Sequence, residues 1–320
     1  MNRNLSGKEL DPSRLQTSVI PLLLVLIFGS LVGVGISGLM SFAYIGATAS
    51  FWSVNYQIAV ASVAIAWGFI LVPVWGLLAG GLFSIGAVSA ITDKLNVKLI
   101  PNGHPIAERT QELARQLDLP PVKYIGYFES DDINAFAAGI SKTSAMIAFT
   151  SGAIKKLTQE QLDAIIAHEL GHIANNDMRR MTYARNFQGA LTWFLLFRGL
   201  KTMARWIFTS ISEIAILSLS RSREYRADAI ASVLVGPQSM VSALNAIAND
   251  QVRPPYKQRR FENMMLIGYA GGLLATHPSI DQRIKAIETH KYISELPLRA
   301  IEPEPEEFVL APLAPKAFTS

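Results

Sequence analysis

Residues 167–173, AHELGHI, are the most informative stretch of this sequence. On an α-helix, residues four positions apart lie on one face, so His168 and His172 present both imidazoles to one cation. Glu169 is one residue round from the first histidine, where its carboxylate reaches a water on that cation rather than binding the cation itself. The alternative is a helix that merely contains these residues, since the spacing arises by chance in roughly one chain in a hundred of this length.

A second group of polar residues, REYRAD at 223–228, makes the metal hypothesis stronger. Two histidines and one glutamate, with a fourth position left for water, are a standard zinc arrangement in hydrolases. A carboxylate one turn further on, Asp228, can accept the free N–H of a liganding imidazole and fix its tautomer. The alternative is a solvated helix of mixed charge. Gly171, a poor helix former inside the first motif, indicates either close approach of another backbone or substrate, or simple packing.

Four separated motifs, in this order, resemble those of the HtpX-type family of integral-membrane zinc metalloproteases, which is related to the eukaryotic CAAX prenyl proteases. The similarity extends from about Pro120 to Ile287. The motifs are DINAFAAG at 132–139, HELGHIANND at 168–177, EYRAD at 224–228, and ATHP at 275–278 with Arg283.

The resemblance implies a zincin-like (gluzincin) catalytic domain behind N-terminal transmembrane helices, in a fold that is mainly α with a small β-sheet or hairpin. It implies one Zn²⁺ per chain, held by His168, His172 and Glu224, with Glu169 as the general base. It also implies a catalytic domain that faces the cytoplasm and a role in membrane-protein quality control. Family members often have a second pair of membrane spans between the histidines and the glutamate ligand, whereas here that interval is short and interrupted by charges.

Two further residues have a role only by this resemblance. His277 and Arg283 are expected to steady the oxyanion of a tetrahedral intermediate. His277 capping a helix is the alternative.

The sequence before the histidine motif predicts a helix, short strands and a second helix. An amphipathic helix is expected over Pro105–Leu117, and TQEQ at 158–161 is a capping box that opens the long helix carrying the histidines. The strand-like runs are Val122–Phe128, Asn134–Ala138 and Ala145–Thr150.

The last two of these strands predict a hairpin with an exposed edge. Such an edge binds an extended substrate strand through backbone hydrogen bonds, and Asn134, Phe136 and Gly139 are the candidate residues. A plain structural hairpin is the equally consistent alternative.

The N-terminal third of the chain has a different composition. Charged residues make up 17% of the whole chain, yet Leu15–Thr92 contains none. Val19–Met40 is long enough to cross a bilayer, and a second span is expected at Ile58–Leu78, followed by an interfacial or broken helix to Ile91. A cleaved signal peptide is the alternative for the first run, and a third span around Phe42–Tyr56 is possible. A wholly soluble protein and general disorder are excluded.

Basic residues flank the two predicted spans on one side. Arg3, Lys8 and Arg14 precede the first span, and Lys94 and Lys98 follow the second. The positive-inside rule therefore predicts that both the N-terminus and the catalytic domain lie in the cytoplasm. The family resemblance implies that this multi-pass protein lies in the inner (plasma) membrane.

These observations define a predicted domain organisation. It comprises a cytoplasmic N-terminus (1–14), a membrane region with two transmembrane helices (15–92), a zinc metallopeptidase domain (93–302) with a hydrophobic insertion (187–219), and a loose tail (303–320). The insertion is interrupted by charges, which favours surface or core helices over a membrane hairpin. A basic loop at 257–260 is expected to be solvated, with lipid headgroups as the alternative partner.

Composition excludes several other classes of protein. There is no cysteine, so disulfides, thiolate zinc sites and cysteine nucleophiles are ruled out. The net charge of +4 is small and dispersed, so no nucleic-acid partner is expected. The predicted partners are protein or peptide substrates, membrane proteins above all, and the lipid bilayer. The predicted function is a membrane-bound zinc endopeptidase. Its rivals are a non-catalytic zinc-stabilised scaffold, which would not need Glu169, and a dedicated prenyl-protein protease.

Overall fold

The structure is a computed structural model, and it describes residues 8–12, 15, 20–48, 52–84, 87–139, 141–178, 221–250 and 277–300. Within these residues the protein is mainly helical with a small mixed sheet, as the sequence predicts. The predicted hydrophobic insertion (187–219), the basic loop (257–260) and the C-terminal tail (303–320) lie outside the described residues.

Two long helices, α1 (Ile20–Thr48) and α2 (Val54–Ser84), pack against each other. Their contact is close at Gly68, where a Cβ atom would collide with the Ser37 side chain and the Gly33 carbonyl. Among the residues that the structure describes, no helix is long and apolar enough to cross a membrane.

The second long helix continues beyond the predicted span. Pro73 does not end it, and α2 runs on to Ser84 before α3 (Ala87–Leu95) begins. The predicted break therefore comes six residues later than Leu78. The two membrane spans themselves stay a prediction from the sequence.

A four-stranded mixed sheet follows, with the order β2-β3-β5-β4. Its strands are β2 (Lys98–Leu99), β3 (Tyr124–Phe128), β4 (Ala135–Ala138) and β5 (Met146–Thr150). The three predicted strands are confirmed, each starting one or two residues later than expected. The predicted hairpin is also confirmed, since β4 is antiparallel to β5 with Ala135 opposite Phe149. β4 lies at one edge of the sheet, and no described strand pairs with its outer side.

The predicted helices around the sheet are present. They are α4 (Pro105–Gln116) and α6 (Gln159–Ala174), and a short helix that the sequence did not predict, α5 (Ser151–Lys156), lies between them in the chain. The capping box at the start of α6 is formed as predicted. The Thr158 hydroxyl accepts from the Gln161 N–H at 3.3 Å, and the Thr158 N–H donates to Gln161 Oε1 at 3.0 Å. These two bonds satisfy backbone donors that the first turn of a helix cannot satisfy itself.

Apolar side chains cover both faces of the sheet. One face carries Ile147 and Phe149, which belong to the main core together with buried residues of α4 and α6. The other face carries Phe128 and Phe136, which pack in a smaller cluster with α3. Helix α6 is therefore buried along most of its length, and any polar group on it needs a partner.

The described residues 221–250 and 277–300 form three helices and a strand. Residues 221–235 are helical (α7), followed by α8 (Pro237–Asn249) and α9 (Ile280–Glu288). The strand β6 (Leu298–Ala300) pairs antiparallel with β1 (Lys8–Leu10), with Glu9 opposite Arg299. The sequence does not predict this pair, because three residues are too few to show the alternation of a strand.

Candidate metal centre

Three side chains from two helices converge on one point. His168 and His172 lie one turn apart on α6, and Glu224 reaches them from α7. The Nε2 atoms of the two histidines are 3.1 Å apart. Glu224 Oε2 is 3.6 Å from His168 Nε2, and Glu224 Oε1 is 3.6 Å from His172 Nε2. The structure thus brings together the three residues that the sequence predicts as metal ligands.

The close approach of α6 and α7 depends on Gly171. A Cβ atom on this residue would stand 3.2 Å from Ala227 Cα and 3.4 Å from Ala227 Cβ. A glycine on one helix and an alanine on the other let the two backbones approach, and so bring Glu224 within reach of both histidines. Of the two explanations for this glycine, the structure selects the approach of another backbone.

The second nitrogen of each histidine is held by a carboxylate. His168 Nδ1 lies 2.8 Å from Asp228 Oδ1, and His172 Nδ1 lies 3.0 Å from Asp177 Oδ2. Each imidazole therefore donates its Nδ1–H to a carboxylate and keeps the Nε2 lone pair for a cation. Asp228 lies where the spacing predicts.

Asp177 was not among the predicted site residues, although it stands within the quoted motif. Helix α6 ends at Ala174, and Asn176 adopts φ 55°, the left-handed conformation that commonly follows a helix. This turn brings the Asp177 carboxylate back to the last turn of the helix. The available signal was the pair Asn176-Asp177 four and five residues after His172, since asparagine tolerates this conformation better than most residues.

Arg283 on α9 is fully buried beneath the site. Its Nε donates to Asp228 Oδ2 at 2.8 Å and its Nη2 donates to Asp228 Oδ1 at 2.6 Å. Its Nη1 is 4.0 Å from Glu224 Oε2. The guanidinium thus makes a bidentate ion pair with the carboxylate that contacts His168 Nδ1.

His277 lies on the other side of Glu224. Its side chain is buried, and its Nδ1 is 3.1 Å from Glu224 Oε2. Neither ring nitrogen makes a hydrogen bond within the described residues. The helix-capping alternative does not hold, because the capping side chain of α9 is Ser279, which accepts from the Gln282 N–H at 3.3 Å.

Burial and charge shift the pKa values of these groups in the metal-free protein. Burial lowers the pKa of His168, but hydrogen bonds to Asp228 and Glu224 outweigh it and raise the pKa to about 9. Burial opposes ionisation of Glu224, yet the charges of His277 and His172 hold its pKa well below the usual range. Burial raises the pKa of Glu169, whose carboxyl group is 2% exposed.

The geometry of the three ligands fits a tetrahedral metal ion. Bonds of about 2.1 Å to a tetrahedral ion place its ligand atoms about 3.4 Å from one another. The two Nε2 atoms are 3.1 Å apart, and each lies 3.6 Å from a different oxygen of the Glu224 carboxylate. Glu224 Oε2 is buried, and the side-chain nitrogens of His277 and His168 lie 3.1 and 3.6 Å from it. Two neutral imidazoles and one carboxylate are also a donor set that suits zinc. These residues therefore fit a divalent cation.

The three predicted substrate-binding residues lie at the sheet edge, in or directly after the strand β4, which contacts α6. Asn134 and Phe136 are fully buried, and Gly139 follows the end of β4. Thr150 N–H donates to the Asn134 carbonyl at 3.0 Å, so residues 134, 136 and 138 direct their backbone groups towards β5. The backbone groups on the outer side belong to the odd-numbered residues, Ala135 and Ala137.

Comparison with known proteins agrees with this site. The sequence profile of Peptidase family M48 matches residues 103–291. A protein named Protease HtpX homolog from Neisseria meningitidis serogroup C is 32% identical, over 55% of this chain and 69% of the relative. Protease HtpX from Buchnera aphidicola is 29% identical, over 58% of this chain and 72% of the relative.

Among solved structures, the crystal structure of S. mikatae Ste24p is similar with a TM-score of 0.45 and 16% identity, covering 84% of this chain and 66% of that one. The resemblance to HtpX-type proteases inferred from the sequence is confirmed by the profile match and by the relatives. The chain belongs to Peptidase family M48.

Proposed function

We propose that this protein is a zinc-dependent endopeptidase that hydrolyses peptide bonds of protein substrates. The observation that carries the proposal is the convergence of His168, His172 and Glu224, beside a fully buried Glu169 on the same helix. A binding-only zinc site needs the three ligands but not a buried carboxylate next to them. A buried carboxylate without a function is costly, so its presence favours catalysis.

The chemistry of the proposed reaction divides among these residues. Zinc bound by His168, His172 and Glu224 would polarise the scissile carbonyl and lower the pKa of water at the site. Glu169 takes a proton from the attacking water and passes it to the leaving amine. Its raised pKa suits both steps, because a carboxyl group that ionises nearer to neutral pH accepts a proton more readily.

The oxyanion of the tetrahedral intermediate needs a nearby donor. His277 is the better placed of the two predicted residues, since its Nδ1 lies 3.1 Å from Glu224 Oε2 while its Nε2 makes no hydrogen bond within the described residues. Arg283 has two of its donors on Asp228, which supports a role in orienting His168 through that carboxylate.

A peptide substrate would bind as an additional strand along the outer side of β4. The outward carbonyl of Ala135 and the outward backbone groups of Ala137 would pair with it, and Asn134, Phe136 and Gly139 would hold this strand in place. Helix α6 contacts β4, which supports a path for the substrate past Glu169.

A multi-pass location in the inner (plasma) membrane is part of the proposal, with misfolded membrane proteins as the substrates. Its support is the charge-free region 15–92 together with large apolar side chains exposed on α1 and α2, such as Phe42, Leu31 and Leu78. The strand pair β1–β6 joins residues before α1 to the end of the catalytic domain, which supports placing both on one side of the membrane. Flanking basic residues favour the cytoplasmic side.

The test is cleavage of unfolded casein by detergent-purified, zinc-loaded full-length protein. Glu169→Gln keeps the three ligands and is expected to bind one zinc per chain while losing about 10²- to 10⁴-fold in rate. His168→Ala is expected to lose both zinc and cleavage. Asp163→Asn, on the same helix but paired with Arg109, is the matched control and should keep both. Cleavage by Glu169→Gln at the wild-type rate would overturn the mechanism.

A further inference from the structure

The segment that leads into β4 is bound to a distant carboxylate. The Ile133 N–H donates to Asp250 Oδ2 at 2.6 Å, across 117 positions of the chain. Asp250 follows the last residue of α8, and its side chain is largely buried. None of the sequence motifs described above includes Asp250.

The position of this hydrogen bond along the strand is informative. Even-numbered residues from Asn134 onward direct their backbone groups towards β5, so the N–H of Ile133 belongs to the series on the outer side. Asp250 therefore accepts a hydrogen bond from an N–H group at the edge where a substrate strand would pair. The next outward donor, the Ala135 N–H, is taken by Asn134 Oδ1 at 3.0 Å. The outer edge of β4 is thereby closed at its N-terminal end.

Asp250 is itself held from two sides. Lys156, at the end of α5, donates from Nζ to Asp250 Oδ1 at 2.9 Å and to the Asp131 carbonyl at 2.5 Å. Helix α8 packs on α6, where Gln161 Nε2 donates to Ser242 Oγ at 2.9 Å. Asp250 thus connects the edge strand to the helix that carries the metal ligands.

We propose that Asp250 is a positioning residue that holds β4 at a fixed distance from α6 and sets where along this edge a substrate strand ends. This inference rests on the proposed peptidase function. Without Asp250, the Ile133 N–H becomes available to a substrate strand. Because backbone pairing repeats every second residue, the substrate can then also bind two residues out of its normal register.

The test compares Asp250→Ala, Asp250→Asn and wild type as zinc-loaded, full-length proteins on casein and on one of its cleaved peptides. Asp250→Ala is expected to raise KM about tenfold with kcat within about threefold, because strand binding rather than bond cleavage is impaired. Mass spectrometry should show new cleavage sites two residues from the wild-type ones. Asp250→Asn keeps an acceptor for the Ile133 N–H and is expected to restore the wild-type sites.

Lys98→Met is the matched control, because it breaks the Lys98–Glu129 pair at the opposite edge of the same sheet. It should leave KM and the cleavage sites unchanged. If Asp250→Ala does not fold, Asp250→Ser is used in its place. The expected result is the same, because the serine hydroxyl lies one bond nearer the backbone than the oxygens of the Asp250 carboxylate. Wild-type KM and wild-type cleavage sites in the folded variant would overturn the inference alone. No cleavage by zinc-loaded wild type would overturn the proposed function and the inference with it.

Discussion

The two histidines of the metal centre occupy different surroundings. His168 is fully buried, and its carboxylate partner Asp228 lies on another helix, α7. Asp228 in turn accepts hydrogen bonds from Arg283 on a third helix, α9. The side chain of His172 is 12% exposed, and its partner Asp177 comes from the turn that directly follows the same helix. One half of the site is built by the tertiary fold and the other half by local chain geometry.

This difference predicts how each half responds to substitution. On the His168 side, removing one group leaves a buried charge with one partner fewer, so stability and metal binding change together. On the His172 side, water can replace a lost partner, so metal binding changes with little effect on the fold. Substitutions in the two halves therefore separate these two effects.

The largest effect is expected for Arg283→Met. It leaves the Asp228 carboxylate buried next to Glu224, and breaking a buried ion pair in this way costs about 3–5 kcal/mol of unfolding free energy. Thermal or denaturant unfolding of the metal-free protein measures the loss. The double variant Asp228→Leu with Arg283→Met removes both charges and should be more stable than Arg283→Met alone. A single variant as stable as wild type would contradict the account of the buried half.

Asp228→Asn is expected to have the next largest effect. The amide keeps an acceptor near His168 Nδ1 but loses the charge, so zinc affinity should fall about 100-fold, the upper end for a residue that orients a metal ligand. Competition with a chelator of known affinity measures the change. The control is Asp163→Asn on α6, whose partner is Arg109 at 2.7 Å. Equal losses of zinc affinity in the two variants would show that the loss does not depend on the contact between Asp228 and the His168 imidazole.

Asp177→Asn sharpens the comparison between the two halves. We expect zinc affinity to fall only about tenfold, because the exposed side of His172 allows water to accept its Nδ1–H. The unfolding midpoint of the metal-free protein should stay close to that of wild type. A loss of affinity as large as that of Asp228→Asn would remove the distinction between the buried and the local half.

The sequence predicts the local parts of this molecule well. The four-residue spacing of His168 and His172, the capping box of α6 and the three short strands each depend on residues that are close in the chain, and the structure contains all of them. The pairing of β1 with β6 and the bond from Ile133 to Asp250 depend on residues more than a hundred positions apart. Residue spacing in the sequence does not predict such contacts, because they form only when the chain between the two segments folds.

The role of Arg283 shows the same limit. Resemblance suggested a place beside the reacting carbonyl, since the family motif contains this residue. In the structure two of its donors lie on Asp228, which supports the proposal that Arg283 positions the His168 imidazole. A motif identifies which residues belong to a site. Which of them would contact the metal and which contact its ligands depends on how the helices pack.

The smallest expected effect concerns the contact that joins the two helices of the site. Gly171→Ala places a Cβ atom 3.2 Å from Ala227 Cα, so α7 must move by a few tenths of an ångström and carry Glu224 with it. We expect zinc affinity to fall about three- to fivefold, which is less than about 1 kcal/mol. Stability should hardly change, because alanine favours the helix by about 1 kcal/mol over glycine and offsets the strain.

Adding Ala227→Gly removes the Cβ–Cβ contact at 3.4 Å and should restore part of the affinity. Gly171→Val, with a larger side chain at the same point, should lose more than Gly171→Ala, and wild-type affinity in both would show that the approach of the two helices does not set the position of Glu224.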